Sequence, residues 1–282
     1  MIFMTIKEIL KGKLTAKELK KVPSSFEIIG GKEKAVCIIE LPVQLKKKAG
    51  VVADAVMKKH RNVKTVLLKE SPRTGTYRTR KYRVVKGVKN TEVVHIENGC
   101  RMLVDPQTSY FSPRESTERQ RIVDKVGDGE AVMVFFAGVG PFAIEIAKKK
   151  KVHKVVCIEI NPAAIEYFIK NVKLNKLNNV DVVLGDVAEK SKEFIGQFDR
   201  VLMPLPETAS EYIRDAINCL RPGGVCHFYF FENQDKVNNW KKRVRDIARN
   251  MKRKITIIET RKVLPYGPGI WKYRMDFRVS QL

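Results

Sequence analysis

From Thr117 onward, short apolar runs alternate with amphipathic segments of helical period. Apolar runs at 131–136, 153–158, 179–184, 199–203, 223–231, 254–260 and 271–279 predict strands. Pro162 opens a segment with Ile165, Phe168, Ile169 and Val172 at helical spacing. Ala209, Tyr212, Ile213, Ala216, Ile217 and Leu220 mark a second, stopped by Pro222-Gly223-Gly224. A third carries Val237, Trp240, Val244, Ile247 and Met251 on one face and basic residues on the other. This alternation predicts an α/β domain whose mainly parallel sheet has helices on both faces.

The pattern before Thr117 is different. Residues 1–21 are Lys-rich and amphipathic, which predicts a short helix or a mobile arm. Ala35 to Leu41 reads as a strand, Lys46 to His60 as a helix with Val51, Val52, Val56 and Met57 on one face, and Val63 to Leu68 as a strand. Residues 71–90, SPRTGTYRTRKYRVVKGVKN, read as a basic loop or ribbon crossing between two domains. Val93 to Ile96 and Arg101 to Val104 flank Asn98-Gly99, a strong hairpin signal. The expected organisation is a small basic α+β domain over 1–70, a connecting loop and hairpin over 71–116 that contributes to the active site, and a ligand-binding catalytic domain over 117–282.

Charge narrows the partner. The net charge is +24, and residues 1–100 hold 23 Lys+Arg against 9 Asp+Glu. An excess this large points to a polyanion, most simply nucleic acid; the alternative is a lysine-rich solvated surface. No apolar run approaches the roughly 18 residues of a membrane span, and the N-terminus lacks a secretory pattern. The five cysteines are scattered without a C-x-x-C, which excludes the usual zinc and disulfide frameworks. A cytoplasmic protein without a metal, acting as a monomer, is expected.

The candidate chemistry starts at Phe136-Ala137-Gly138-Val139-Gly140-Pro141-Phe142, which follows an apolar run and opens a helical stretch. Strand, glycine turn and helix bring backbone N–H groups up to a nucleotide-like ligand. Gly138 permits the tight turn, Gly140 lets the ligand approach the backbone, and Pro141 suits the first helical turn. Gly138-x-Gly140-x-x-Ala143 fits a dinucleotide, with Glu159 at the end of the next strand as the ribose acid. It equally fits S-adenosylmethionine (AdoMet), which also offers a ribose diol, or a packing turn with no ligand. Two later segments favour AdoMet. Asp186 after Gly185 can accept from an adenine amino group, its alternative role being a helix cap. Met203-Pro204-Leu205-Pro206 forms a rigid wall at a strand end, against which a planar base can stack.

Together these residues resemble the archaeal and eukaryotic tRNA (guanine-37-N1)-methyltransferases. The resemblance rests on Tyr110-Phe111-Ser112-Pro113-Arg114, Glu118-Arg119, Phe136 to Phe142, Glu159-Ile160-Asn161-Pro162, Gly185-Asp186-Val187 and Met203 to Pro206, and covers roughly residues 75–280. It implies a class I AdoMet-dependent methyltransferase fold with a seven-stranded sheet, with tRNA as partner. It also implies a cofactor site of Phe136, Gly138, Gly140, Phe142, Glu159, Ile160, Asp186, Val187, Met203 and Pro204. Guanine N1 carries a proton, so its methylation needs a base; the resemblance gives Glu118 that role. Arg78 would hold O6 and stabilise the charge that develops there. Tyr110, Pro204 and Pro206 would position the base, with Arg80 and Arg114 as further substrate contacts. Alternatives are a surface ion pair of Glu118 with Arg114 or Arg121, and a phosphate contact for Arg78.

Two residues depart from the family pattern. Pro204 stands where the family usually has Asn, in a Met-Pro-Leu-Pro form that resembles an archaeal branch able also to methylate C7 of a tricyclic wyosine precursor. Val134 stands where methyltransferases often place an acid. A separate small domain with which some members check the body of the tRNA is expected to be missing. The rival reaction is transfer of the aminocarboxypropyl group of AdoMet to the wyosine precursor; that sibling family usually lacks the proline wall. For RNA contact, Arg78, Arg80, Lys81 and Arg83 interleave with Tyr77 and Tyr82, which suits phosphates and splayed bases of an anticodon loop. The basic face of 241–254 is a second candidate contact, or else a solvated helix face.

Overall fold

The computed structural model describes residues 4–280. The chain divides into two compact units, Met1–Ser116 and Thr117–Leu282.

The first unit starts with two short helices, α1 (Ile6–Ile9) and α2 (Ala16–Lys21); residues 1–3 of the expected amphipathic stretch lie outside the described residues. Each helix is opened by a reciprocal cap, Thr5 with Glu8 and Thr15 with Glu18, which satisfies backbone N–H groups a helix start leaves without partners. Then come β1 (Glu27–Gly30), β2 (Ala35–Ile39), α3 (Val43–Lys46), α4 (Ala49–Lys59), β3 (Val63–Lys69) and β4 (Tyr82–Gly87). They form a sheet in the order β1-β2-β3-β4, parallel only between β2 and β3. The helix expected over 46–60 is α4, which starts at Ala49, and the separate short helix α3 precedes it. Lys48 leaves helical geometry (φ −101°, ψ 14°), so Leu45 and the Ala49, Val52, Val56 face bury in one core. Residues 82–87, expected within a basic loop or ribbon, instead pair with β3 as an edge strand, with Val84 and Val85 half-buried and Arg83 and Lys86 exposed. Charged side chains of this kind suit an edge. β5 (Val93–Glu97) and β6 (Cys100–Val104) form the expected hairpin, turned by Asn98 (φ 49°) and Gly99 (φ 78°).

The second unit carries α5 (Ser116–Lys125, which begins at the boundary), β7 (Ala131–Phe135), α6 (Pro141–Lys149), β8 (Lys154–Glu159), α7 (Pro162–Leu174), β9 (Val180–Leu184), α8 (Val187–Lys190), β10 (Phe198–Met203), α9 (Ile213–Cys219), β11 (Leu220–Asn233), α10 (Val237–Asn250), β12 (Lys254–Gly267) and β13 (Ile270–Ser280). The sheet order is β12-β13-β11-β10-β7-β8-β9. Strands β11 to β9 in that order run parallel, and β13 is antiparallel to both neighbours. The chain winds outward from β7 through β8 and β9, then returns to β10 on the other side. The carboxyl ends of β7 and β10 therefore flank the point where the winding reverses, which is where open α/β sheets bind ligands.

Strand β13 alternates strictly. Tyr273, Met275, Phe277 and Val279 enter the apolar core with Cys226, Phe228 and Phe230 of β11. Lys272, Arg274 and Asp276 face the other way, yet all three are buried. The polar helix α5 closes over this second face: Glu118 and Lys125, seven residues apart on it, both pair with β13.

Gly140 caps α6 at φ 86°, and a Cβ there would lie 2.0 Å from the Phe168 ring of α7. The expected reason for this glycine was approach of a ligand to the backbone; the contact that forbids a side chain is packing of α7 against the turn. Left-handed strain and overpacking add, so G140A is expected to destabilise the protein by about 2–4 kcal/mol in chemical denaturation. A loss under about 0.5 kcal/mol would show that Phe168 moves aside freely.

Candidate active site

The glycine turn and its neighbours meet at the carboxyl edge of the second unit's sheet. Phe136 (φ 54°) and Gly138 (φ 57°) both take left-handed backbone, which folds the chain sharply back after β7. The Gly138 N–H donates to Glu159 Oε2 at 2.7 Å, and the Asn161 N–H donates to Oε1 at 2.8 Å. Glu159 thus ties the turn after β7 to the turn after β8. Burial raises its carboxyl above the ordinary range, against the pull of these backbone donors. The Ile160 N–H is a third backbone donor to this carboxyl, which leaves a lone-pair site that a ribose hydroxyl can take.

The Gly185 N–H donates to the Glu159 carbonyl at 2.9 Å, which brings the turn after β9 alongside. There Asp186 Oδ1 caps α8 by accepting from the Ala188 N–H at 2.8 Å. The capping role is real, and the second oxygen is left for another donor. Val187 is buried and Ile160 half-buried. Phe136 packs edge-on to Tyr212 with centroids 5.0 Å apart. Phe142 lies in the first turn of α6, 6.2 Å from the Tyr229 ring. Met203 ends β10 fully buried, and Pro204 to Pro206 emerge half-buried after it.

Lys272 links this wall to the candidate base. Its Nζ donates to the Pro204 carbonyl at 3.4 Å and lies over the Tyr229 ring at 4.8 Å. The Tyr229 hydroxyl donates to Glu118 Oε1 at 2.9 Å. Burial and the Glu118 carboxylate push this hydroxyl far above its ordinary titration range, so it stays a donor. Arg274 Nη1 donates to the same Oε1, and Arg121 Nη1 reaches Oε2 at 3.3 Å. Glu118 is only 2% exposed. The expected pairing with Arg121 exists, but the dominant partner is Arg274, in the interior rather than on the surface.

Arg274 is itself held. Its Nε donates to Asp276 Oδ1 at 2.8 Å and its Nη2 to Glu259 Oε2 at 2.7 Å. Asp276 also pairs with Lys125 at 3.3 Å and with His227 Nδ1 at 2.7 Å. On the far side of His227, Arg200 Nη1 lies 2.6 Å from Nε2. An arginine can only donate, so Nε2 accepts and the proton sits on Nδ1, facing Asp276. Arg200 closes the chain with a two-pronged pair to Glu130, at 2.6 and 2.7 Å. Burial pushes His227 below its ordinary range, consistent with a neutral ring. Burial alone would raise Asp276, but the His227 bond and the charges of Arg274 and Lys125 hold its carboxyl well below the usual range.

The remaining candidates belong to the first unit. Arg78 sits at φ 53° in the loop between β3 and β4, closed by the Thr74–Thr79 bridge. Arg80 lines a cavity of about 320 Å³ with Lys46, Lys69, Glu40 and Glu70, and its buried Nε has no hydrogen-bond partner. Tyr110 carries the Arg73 guanidinium over its ring at 4.2 Å and donates to Glu115 at 3.3 Å. Arg114 is exposed in the short turn Pro113–Glu115. Among the described residues, no helix is long and apolar enough to cross a membrane.

The sequence reading missed Tyr229, Lys272, Arg274, Asp276, His227 and Arg200. The one available signal was the alternation Lys272-Tyr273-Arg274-Met275-Asp276-Phe277, which reads as an ordinary half-exposed strand.

Comparison with known proteins agrees with this geometry. Residues 93–258 match the TRM5/TYW2 methyltransferase domain, and residues 6–91 match the TYW2 N-terminal domain. The chain is similar to the tRNA (guanine(37)-N(1))-methyltransferase Trm5b of Pyrococcus abyssi, with 41% identity over 265 residues, 93% of this chain and 77% of that protein. The crystal structure of that Trm5b superposes with a TM-score of 0.86 at 40% identity, over 95% of this chain and 79% of the other. A complex of aTrm5 with tRNALeu gives a TM-score of 0.84 at 30% identity, over 99% and 79%. TYW2 of Pyrococcus horikoshii in complex with MeSAdo gives 0.81 at 26% identity, over 98% of both chains.

The neutral His227 makes stability depend on pH with a defined sign. Unfolded, the ring titrates near ~6.5, above its folded value, so the unfolded state takes up a proton first as pH falls. Stability should therefore drop from pH 7.5 to pH 5, and by more in the wild type than in H227Q. Denaturation midpoints at the two pH values measure this; equal losses in both proteins would mean that the buried ring is already charged.

Proposed function

The chain belongs to the TRM5/TYW2 methyltransferase family, and from that premise we propose that it transfers a methyl group from AdoMet to N1 of guanine 37 in the tRNA anticodon loop. The observation that carries this reading is the placement of Glu118. A carboxylate is held at the interior end of a polar cluster that also reaches, through Tyr229 and Lys272, the proline wall after β10.

Bound AdoMet supplies an electrophilic methyl group on a sulfonium. The chain's own residues do the rest. Glu159 and the Gly138 turn hold the ribose, Asp186 takes the adenine amino group on its free oxygen, and Phe136, Phe142, Ile160, Val187 and Met203 surround the donor. These residues fit the ligand: a buried carboxylate rests on three backbone donors, beside a turn of left-handed residues. Pro204 and Pro206 support the flat face of the guanine. Glu118 takes the N1 proton, which leaves a lone pair on N1 for attack and moves negative charge onto O6. Arg78 neutralises that charge, while Tyr110, Arg80 and Arg114 contact the RNA; support for these four is the motif match.

The aminocarboxypropyl transfer is the second reading. It is favoured by the TYW2-type N-terminal match and by mutual coverage with a TYW2 structure. The wall Met203 to Pro206 and the higher identity to Trm5b favour methyl transfer. The Met-Pro-Leu-Pro form extends the proposal to C7 of the wyosine precursor. We take the cytoplasm as the compartment and a monomer as the working unit.

Labelled AdoMet with tRNA carrying guanine, another ordinary base or the tricyclic precursor at position 37, read by nucleoside mass, separates these reactions. A mass gain of one methyl on guanine and on the precursor, and no product with the other ordinary base, is expected; an aminocarboxypropyl adduct alone would overturn the proposal. E159Q should weaken AdoMet binding by roughly 10- to 100-fold in calorimetry, since it loses a charged acceptor. Unchanged affinity would remove Glu159 from the cofactor site.

Residues 236–254 hold nine Lys or Arg against one Asp, and Lys242, Arg245, Arg249 and Arg253 are exposed. We assign this face of α10 to the RNA backbone. K242Q/R245Q/R253Q should reduce the slope of log affinity against log salt by about 2–3, since each lost phosphate contact removes ~0.7–0.9. An unchanged slope would make the face merely solvated.

A further inference from the structure

The two oxygens of Glu118 are in different environments. Oε1 accepts from Arg274 and from Tyr229, both fully buried. Oε2 has one partner, Arg121, at 3.3 Å, and the Arg121 side chain is 36% exposed. One oxygen is saturated from the interior. Among the described residues the other meets only Arg121, the most exposed of the three partners.

We propose that Arg274 is a positioning residue that, together with Tyr229, saturates Glu118 Oε1 and so fixes Oε2 as the atom that takes the proton from guanine N1. This rests on the reading of Glu118 as the base.

The cross-strand register explains why position 274 can do this. Arg274 lies opposite Tyr229 of β11, and Asp276 lies opposite His227. Directly opposite residues share a face, so Arg274 and Tyr229 reach α5 side by side. Arg274 cannot rotate away, because Asp276 and Glu259 hold its other two nitrogens. Asp276 is oriented by His227, whose tautomer is set by Arg200. Orientation therefore runs from the Arg200–Glu130 pair through His227 and Asp276 to Arg274, and ends on one carboxylate oxygen. A base so held has its lone pair pre-aimed, which spares reorganisation when the proton moves. The accepted proton leaves to solvent once the methylated base has departed.

The charged and titratable groups around Glu118 are Arg274 on β13, Tyr229 on β11 and Arg121 on its own helix, with Lys125, Glu259 and Asp276 behind Arg274.

The test is single-turnover methylation with saturating AdoMet and tRNA, together with AdoMet and tRNA affinities, for R274M, R274K, Y229F and E118Q. R274M should lower the rate on the order of 10²-fold, as a misplaced catalytic group does, with both affinities unchanged. R274K restores the cation but not the fork, and its rate should recover in part. Y229F removes one neutral donor and should lower the rate about tenfold with unchanged tRNA and AdoMet affinity. If R274M does not fold, R274K and Y229F carry the test. Wild-type rates in folded R274K and Y229F, with E118Q inactive, would overturn the positioning role and leave Glu118 as base. An active E118Q would instead overturn the reading of Glu118.

Discussion

A guanidinium with no access to water organises the catalytic unit. Arg274 is fully buried and donates to Glu118, Glu259 and Asp276. Taking such an ion from water costs several kcal/mol, which only close, well-aimed partners offset. Those partners carry charge of their own and recruit more. Glu259 and Asp276 bring in Lys125, Asp276 brings in His227, and His227 brings in Arg200 with Glu130. Among the described residues the finished network sets five cations (Arg121, Lys125, Arg200, Arg261, Arg274) against four carboxylates (Glu118, Glu130, Glu259, Asp276). A partly built version would be worse than none, so its members are committed to one arrangement.

That commitment shapes the fold around it. The helix α5 has few apolar residues, and burying it by hydrophobic contact alone is not feasible. It is seated by ion pairs instead: Glu118 and Lys125 onto β13, and Arg119 onto Glu145 of α6 at 3.5 Å. A slip of one residue in β13 would push Tyr273 and Met275 into the ionic side and Arg274 into the aromatic core. The apolar and ionic faces thus specify the same register. The edge strand β12 completes the sheet by supplying Glu259, whose bond from Lys125 and charge contact with Arg274 hold its carboxyl below the ordinary range.

At the other end of the sheet the constraint is backbone geometry. The turn after β7 needs left-handed residues at 136, 138 and 140, and the last of these must be glycine because Phe168 occupies the space a side chain would take. Glu159 and the Gly185 N–H then join the ends of β7, β8 and β9 into one rim. The rim joins three strand ends; the ionic network holds Glu118. Lys272, in contact with both the Pro204 carbonyl and the Tyr229 ring, connects the two.

Much of this was legible in the residues. The seven strands of the second unit follow from their apolar runs, the hairpin at Asn98-Gly99 from turn chemistry, and the turn between β7 and α6 from Gly138, Gly140 and Pro141. These signals are local: a period, a cap or a left-handed turn is written within a few residues of where it acts. The pairing of residues 82–87 as a strand and the packing role of Gly140 were not legible, because each depends on distant residues. The clearest case is Lys272-Tyr273-Arg274-Met275-Asp276. By itself the sequence determined that this strand has one apolar and one charged face. Whether water or protein meets the charged face depends on where α5, more than 140 residues earlier, is placed. Only the tertiary structure decided that, and it turned an ordinary surface pattern into the buried support of Glu118.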